Sequence, residues 1–413
     1  MITIKAFRGI RPLPEYAARV ASRPYDVMNR QEAKQEAAGN PLSFLHVIRP
    51  EIDLPDSIDE HDPRVYQKAK ENFQSLLAQG IFKQESADCF YVYELTMHNR
   101  SQTGLVACSS VDDYFADKIK KHEHTRPVKE QDRIDHMLIT GIHAEPVFLT
   151  FRDVDAVTYI LFQIKDQSPD YDFISSDNIK HRFWVMRDPS AISQLTQIFK
   201  THVPATYIAD GHHRAASSAK VGRLLAEQNP HHSGKEEYNF FLTVLFPASQ
   251  LHIMDYNRLV ADLNGLTEAE FLQKVAEKFQ VHQRNDSFRP SGMHEFGMYL
   301  GGKWYKLLPH PGTFAEDDPI GSLDVSILQD NLLRPILGIT DPRTDKRIDF
   351  SGGIRGLQEL ERRVNQGEMQ VAFALYPVSM EQLLRIADMG QVMPPKSTWF
   401  EPKLRSGLII HPF

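Results

Sequence analysis

The eight residues Tyr207-Ile208-Ala209-Asp210-Gly211-His212-His213-Arg214 put an acid, two imidazoles and a guanidinium on one turn. An apolar strand ends in Asp-Gly. A helix then opens and runs into the small-residue stretch Ala215-Ala216-Ser217-Ser218-Ala219. Glycine lets the backbone approach a ligand closely. The first turn of a helix leaves N–H groups unpaired, which favours an anion there. Arg214 adds a planar fork suited to phosphate, on a loop-proximal position expected to lie outside the core. Asp210 can hold a metal or take a proton, and His212 and His213 can bond phosphate oxygens. The plainer alternative is an Asp-Gly turn capping an ordinary helix, with both histidines at the surface.

A second cluster lies in the polar loop 117–136. Lys118-Ile119-Lys120-Lys121-His122-Glu123-His124-Thr125-Arg126 continues to Lys129, Asp132 and Arg133. Lys120, Lys121 and Arg133 could bind a polyphosphate, and Glu123 could act as a base or metal ligand. A solvated charged loop has the same composition. The chemistry of the two clusters is complementary, so we expect loop 118–133 to face turn 209–214 across one pocket. Lys396, beside Ser397 and Thr398 on a Pro-stiffened loop, could grip an oxyanion, or the loop could simply be rigid surface. Arg11, Tyr25 and Asp26 sit in Pro-fixed loops that position side chains well, and are candidate substrate-binding residues. The turn Ser351-Gly352-Gly353 fits a tight connection better than a phosphate cradle.

The elements that must position these residues alternate. Residues 89–96 and 104–109 read as a hairpin, 146–151, 182–187 and 238–246 as strands, and 63–79 and 190–200 as helices. The helix after the Asp-Gly turn runs to about Gln228. Further on, 267–279, 322–337 and 379–388 read as helices, and 296–309 as a hairpin turning at Gly301-Gly302. This alternation predicts a mixed α/β, or α+β, architecture. We divide the 413 residues into a candidate catalytic region, 1–246, and a C-terminal α/β region, 247–413.

Composition narrows the function classes. Formal net charge is −7, with 41% hydrophobic and 24% charged residues. An acidic balance disfavours nucleic acid and membrane surfaces, which need a basic face. Two cysteines, Cys89 and Cys108, are too few for a disulfide framework and have no zinc spacing. With no signal-like leader and no apolar run of membrane length, a cytoplasmic location is expected. The oligomeric state is left open.

Taken together, Phe7-Arg8-Gly9-Ile10-Arg11-Pro12, Pro24-Tyr25-Asp26-Val27, Ile119-Lys120-Lys121-His122-Glu123, Ala209-Asp210-Gly211-His212-His213-Arg214 and Met393-Pro394-Pro395-Lys396-Ser397-Thr398 resemble the family catalogued as domain of unknown function 1015. The resemblance extends over nearly the full length. The Asp-Gly-His-His-Arg turn is similar to the nucleotide-binding box of the ParB/sulfiredoxin superfamily, which includes kinases of free serine. Sulfiredoxin has a cysteine where this chain has His212, so its cysteine chemistry is not expected. The resemblance implies a ParB/sulfiredoxin-like nucleotide-binding core with additional α/β elements. It also implies a kinase that uses ATP or ADP with Mg²⁺ on a small hydroxylated metabolite, free L-serine first. In that reading Asp210, Glu123, His212 and His213 are catalytic, and Gly211, Arg214, Lys120, Lys121, Arg133 and Lys396 bind nucleotide or phosphate. Which carboxylate is base and which metal ligand stays open, as does the metal itself. Two alternatives remain: a metal-dependent hydrolase with Asp210, His212, His213 and Glu123 as ligands, and a nucleotide-sensing or ParB-like nucleic-acid-binding protein.

Overall fold

The strand that ends at Asp210 is short, Thr206–Asp210, and it lies near one edge of a nine-stranded sheet. The computed structural model describes all 413 residues. From that edge the strand order is Ile119–Lys120, Thr206–Asp210, Val147–Phe151, Phe240–Pro247, Arg100–Ser110, Phe90–Met97, Lys180–Met186 and Tyr171–Ile174. Ile4–Lys5 also pairs with Arg100–Ser110. Most pairings are antiparallel. Two are parallel, Thr206 beside Ile119 and Thr243 beside Val147, while the antiparallel neighbour Val147–Phe151 sets Phe148, near its start, opposite Asp210. The mixed α/β class expected from the alternation is the class the chain adopts.

The sheet is buried on both faces, so its central strands are apolar along their whole length rather than alternating. On one face Val92, Leu105, Val147, Leu149 and Ile208 pack with Leu195 and Phe199 of the helix Pro189–His202. On the other, Phe148 meets Phe246 at 4.7 Å between ring centroids. A separate apolar cluster gathers Tyr25, Phe44, Leu45, Phe73 and Phe82 among the N-terminal helices Pro14–Val20, Arg30–Ala37 and Pro63–Ala78.

Residues 127–140 form a helix, Pro127–Thr140, where a polar loop was expected. Proline at its first position and Gly141 just beyond its end, at φ +70°, mark both termini, the usual asymmetry of helix ends. Its buried face is Glu130, Arg133, His136 and Met137. That spacing is helical, but three of the four residues are polar, so hydrophobic periodicity alone misses it. The small-residue stretch on the helix His212–Gln228 explains how this polar face is buried. Ser217 Oγ donates to Glu130 O at 3.0 Å, and Ser218 Oγ to Met137 Sδ at 3.5 Å. Lys220 pairs with the Glu130 carboxylate. Small side chains let the two helices approach closely enough for these contacts.

The chain divides into two compact units, Met1–Leu251 with Pro402–Phe413, and His252–Glu401. From sequence the last twelve residues were placed with the C-terminal region, but they run through the first unit. Ile410 bridges Ile10, and His411–Pro412 pairs with Ile142–His143. The second unit is built on a six-stranded antiparallel sheet in the order Phe279–Arg284, Lys303–Pro309, Phe296–Leu300, Val371–Leu375, Tyr256–Val260 and Ile348–Gly352. Leu259, Trp304, Ala372 and Ala374 pack there with Leu357 and Leu360 of the helix Gly356–Asn365. The helix expected over 322–337 is regular only at Asp324–Leu328 and then widens over Gln329–Leu333. The Arg334 N–H reaches back five residues to Gln329 O, at 2.9 Å.

Candidate functional site

Asp210 closes its strand after an irregularity in register between Ile208 and Asp210. Gly211 then turns the chain at φ +91°, a left-handed conformation that side chains disfavour. A Cβ at Gly211 would sit 2.9 Å from Arg214 Nε, so glycine is required on two counts. No side chain caps the helix that follows, and its first N–H groups are left to a ligand or solvent.

Two cations hold Asp210. Arg214 Nη2 donates to Oδ2 at 3.2 Å, and Lys403 Nζ lies 3.5 Å from the same oxygen. Burial alone would raise the carboxyl pKa. Lys403, Arg214 and His212 outweigh it and bring the pKa down to about 2, so Asp210 is charged at neutral pH. Lys403 comes from the returning C-terminal segment. It was not among the site residues read from sequence, because nothing in its local spacing marks a partner nearly two hundred residues away.

Arg214 is not the surface grip expected of it. It is 5% exposed. Its Nη1 donates to Pro146 O at 2.7 Å, while Nη2 is shared between Asp210 and Asp26, the latter at 3.7 Å. Burial works against its charge, but Asp26, Asp210 and Glu145 more than compensate and keep it protonated. The guanidinium therefore braces two carboxylates across the turn.

The loop carrying Glu123 does meet this turn. Ile119–Lys120 runs parallel to the Asp210 strand. The His122 ring stands edge-on to the His212 ring at 4.5 Å. The His122 N–H donates to His212 Nε2 at 3.4 Å, and the Arg126 N–H to His213 Nε2 at 3.0 Å. Each acceptor nitrogen must be unprotonated, which leaves the ring proton on Nδ1. The Nδ1 of His212 lies 3.9 Å from Glu123 Oε2. Burial lowers the pKa of both imidazoles, that of His213 to about 4 and that of His212 well below its ordinary value, so both are neutral at pH 7.

Beside Asp26 a cavity of about 430 Å³ opens, lined among others by Tyr25, Arg126, Lys129, Asp132 and Arg133. The Arg133 guanidinium lies 4.1 Å over the Tyr25 ring and pairs with Asp132 at 2.7 Å. The Tyr25 hydroxyl is buried without a hydrogen-bond partner. Behind them lies Glu145, another residue missed from sequence. It accepts from the Tyr25 N–H at 3.0 Å and sits 3.6 Å from Arg133. Burial raises its pKa despite Arg214 and Arg133 nearby. A lone acid at the head of an otherwise apolar strand was the one signal available for it.

Four expected residues are engaged by other partners. Arg11 is buried among Glu85, Tyr171 and Asp170 and holds the fold together there. Lys120 Nζ pairs with Asp117 at 2.8 Å. Lys121 Nζ lies 4.2 Å over the Tyr114 ring. Lys396 belongs to the second unit, where its carbonyl accepts from Arg258 and its ammonium lies 5.8 Å from the Tyr256 ring.

The fold is a mixed α/β two-unit protein whose candidate site is a polar helix start flanked by carboxylates and cations. A family model matches residues 4–326. The chain belongs to that family, described as protein of unknown function (DUF1015). No curated protein matches it. Among solved structures it is similar to a free serine kinase in complex with AMP, at 13% identity and TM-score 0.36, over 74% of this chain and 91% of that one. It is also similar to a conserved hypothetical protein from Pyrococcus furiosus, at 14% identity and TM-score 0.35, over 74% and 95%. A third is C-terminally truncated SbnI from Staphylococcus aureus, at 11% identity and TM-score 0.39, over 72% and 82%. No helix is long and apolar enough to cross a membrane.

Proposed function

We propose that the first unit transfers a phosphoryl group from ATP or ADP to the hydroxyl of a small metabolite, with free L-serine the first candidate. The observation that carries this reading is the meeting of Glu123 and Asp210 around one uncapped helix start, with Lys403 alongside. Phosphoryl transfer asks a protein mainly to position its reactants and neutralise charge, and these groups can do both. Phosphate oxygens would accept from the N–H groups of His212 and His213 and from Lys403. Arg214, occupied by Pro146 and two aspartates, positions Asp210 rather than gripping phosphate.

The acceptor hydroxyl would enter from the cavity beside Tyr25 and Asp26. Its oxygen forms a bond to the terminal phosphorus as the bond to the leaving nucleotide breaks, and its proton passes to a carboxylate. Asp210, held near pKa 2, is a poor base at neutral pH. Glu123 is 43% exposed and so open to substrate, and we assign it the proton. Asp210 and Asp26 both reach Arg214 Nη2. Two carboxylates on that side suit a Mg²⁺ ion that keeps phosphate and water among its ligands. The ion would supply charge neutralisation on the phosphates.

The hydrolase alternative needs His212 and His213 as metal ligands. Their Nε2 lone pairs already accept backbone N–H groups, which argues against it. The reading is tested by incubating the protein with ATP or ADP and a panel of free amino acids and small alcohols, followed by phosphorus NMR. A new phosphomonoester resonance supports it. Nucleotide that stays intact with every acceptor refutes it.

A further inference from the structure

The second unit contains a buried cation with no counter-charge. Arg258, on the strand Tyr256–Val260, is 4% exposed. Its Nη1 donates to Tyr256 O, and its Nη2 to Lys396 O at 2.9 Å. Its guanidinium carbon lies 5.4 Å from the Phe350 ring. No carboxylate comes within 4.0 Å of it, although every other buried arginine described above is paired with an acid. Carbonyl dipoles and a ring face compensate a desolvated charge only in part. Burial accordingly draws the Arg258 pKa down to about 10.

Arg258 lines a cavity of about 380 Å³, which is within the size range of small-ligand sites. The acids on that wall are already matched: Asp330 pairs with Arg334 at 2.7 Å and Asp341 with Arg343 at 3.0 Å. Arg258 therefore leaves the wall with one net positive charge. Two further polar atoms there are buried without partners, Ser326 Oγ and Gln329 Oε1. Ser326 is 6% and Gln329 9% exposed. The Gln329 Nε2 is committed to Ile339 O at 2.7 Å, so its oxygen is the atom left to accept. Both residues lie where the helix from Asp324 widens into five-residue hydrogen bonding, a distortion found often at functional sites. Ile320, Leu333, Phe350 and Pro394 supply apolar walls.

We propose that this cavity is a second binding site, for a small oxyanion that also carries a hydroxyl or ammonium donor. The oxyanion, a carboxylate or a phosphate, sits against Arg258 and the Ser326 hydroxyl, and the donor meets Gln329 Oε1. The site is independent of the phosphotransferase reading, since every residue named belongs to the second unit.

The test is calorimetric titration of the full chain with L-malate, with inorganic phosphate and with sodium chloride at matched ionic strength. Phosphate also has a landing place in the first unit, so the readout is the difference between wild type and Arg258→Met. Wild type should bind malate or phosphate but not chloride. Which of the two binds tells carboxylate from phosphate recognition. Arg258→Met should weaken that binding about tenfold or more, as expected when a hydrogen bond to a charged group is lost, and should melt no lower than wild type, because it removes an unpaired buried charge. Ser326→Ala, which deletes one oxygen, should weaken it as well. Equal binding by wild type and both variants would overturn the proposal, as would the absence of malate and phosphate binding in wild type.

Discussion

At the residue scale the account turns on what holds Asp210. Arg214 connects Pro146 O, Asp210 and Asp26 from a buried position. Arg214→Ala would leave Asp26 without its cation and Asp210 with Lys403 alone. We expect a loss of about 3 kcal/mol in unfolding stability, typical when one partner of a buried ion pair is removed, measurable by urea denaturation. A stability within experimental error of wild type would show that Arg214 faces solvent and is available to a ligand. Glu123 and Asp210 are distinguished in the same way. Glu123→Gln keeps the shape and removes the base, and should lower turnover by about two orders of magnitude or more while leaving the melting temperature unchanged. Asp210→Asn should lower turnover too and should also weaken the dependence of activity on Mg²⁺. Kinetic titration with Mg²⁺ separates the two effects.

At the element scale the site depends on one turn. Gly211 must adopt φ +91° with Arg214 Nε where a Cβ would go. Gly211→Ala should therefore cost about 1–2 kcal/mol in backbone strain alone and should disturb Arg214 in addition. A melting curve unchanged from wild type would contradict the geometry. This turn was legible in the sequence, because strand, Asp-Gly and small-residue helix follow one another without a gap. The meeting of loop 118–133 with it was legible as chemistry, since an anion site and a cation-rich loop are complementary. The helix Pro127–Thr140 was not, because its buried face is made of Glu130, Arg133 and His136, and apolar periodicity cannot register a polar face. The Pro127 and Gly141 termini were readable and were the better guide. Lys403 and Glu145 were hidden for a different reason. Their partners are brought to them by the sheet and by the returning C-terminal segment, and no local pattern encodes that. Arg11 misled because a buried arginine with its own acids looks, in sequence, like one waiting for a substrate.

At the scale of the whole molecule, the first unit buries many imidazoles in neutral form. Burial lowers the pKa of His122, His136 and His213 to about 4 and that of His181 to about 3, and it depresses those of His143, His212 and His411 as well. An unfolded chain titrates its histidines near 6.5. Between pH 6.5 and about 4 the unfolded state therefore binds more protons than the folded one, so stability rises with pH across that window. The contribution is complete above pH 6.5 and is lost as pH falls toward 4. Thermal melts at half-unit steps from pH 8 to pH 4 should show a plateau and then a steep decline beginning near 6.5. A flat profile down to pH 4.5 would mean that these histidines are hydrated.

The central claim is that the Asp210–Glu123 site moves a phosphoryl group. Its most direct measurement is phosphorus NMR of wild type and Glu123→Gln, each with L-serine, Mg²⁺ and either ATP or ADP. We predict a phosphoserine resonance that grows with wild type as the donor's terminal phosphate declines, and a rate at least about a hundredfold lower with Glu123→Gln. Equal rates in the two proteins, or a donor that remains intact beside folded wild type with L-serine and with every other acceptor of the panel, would contradict the account.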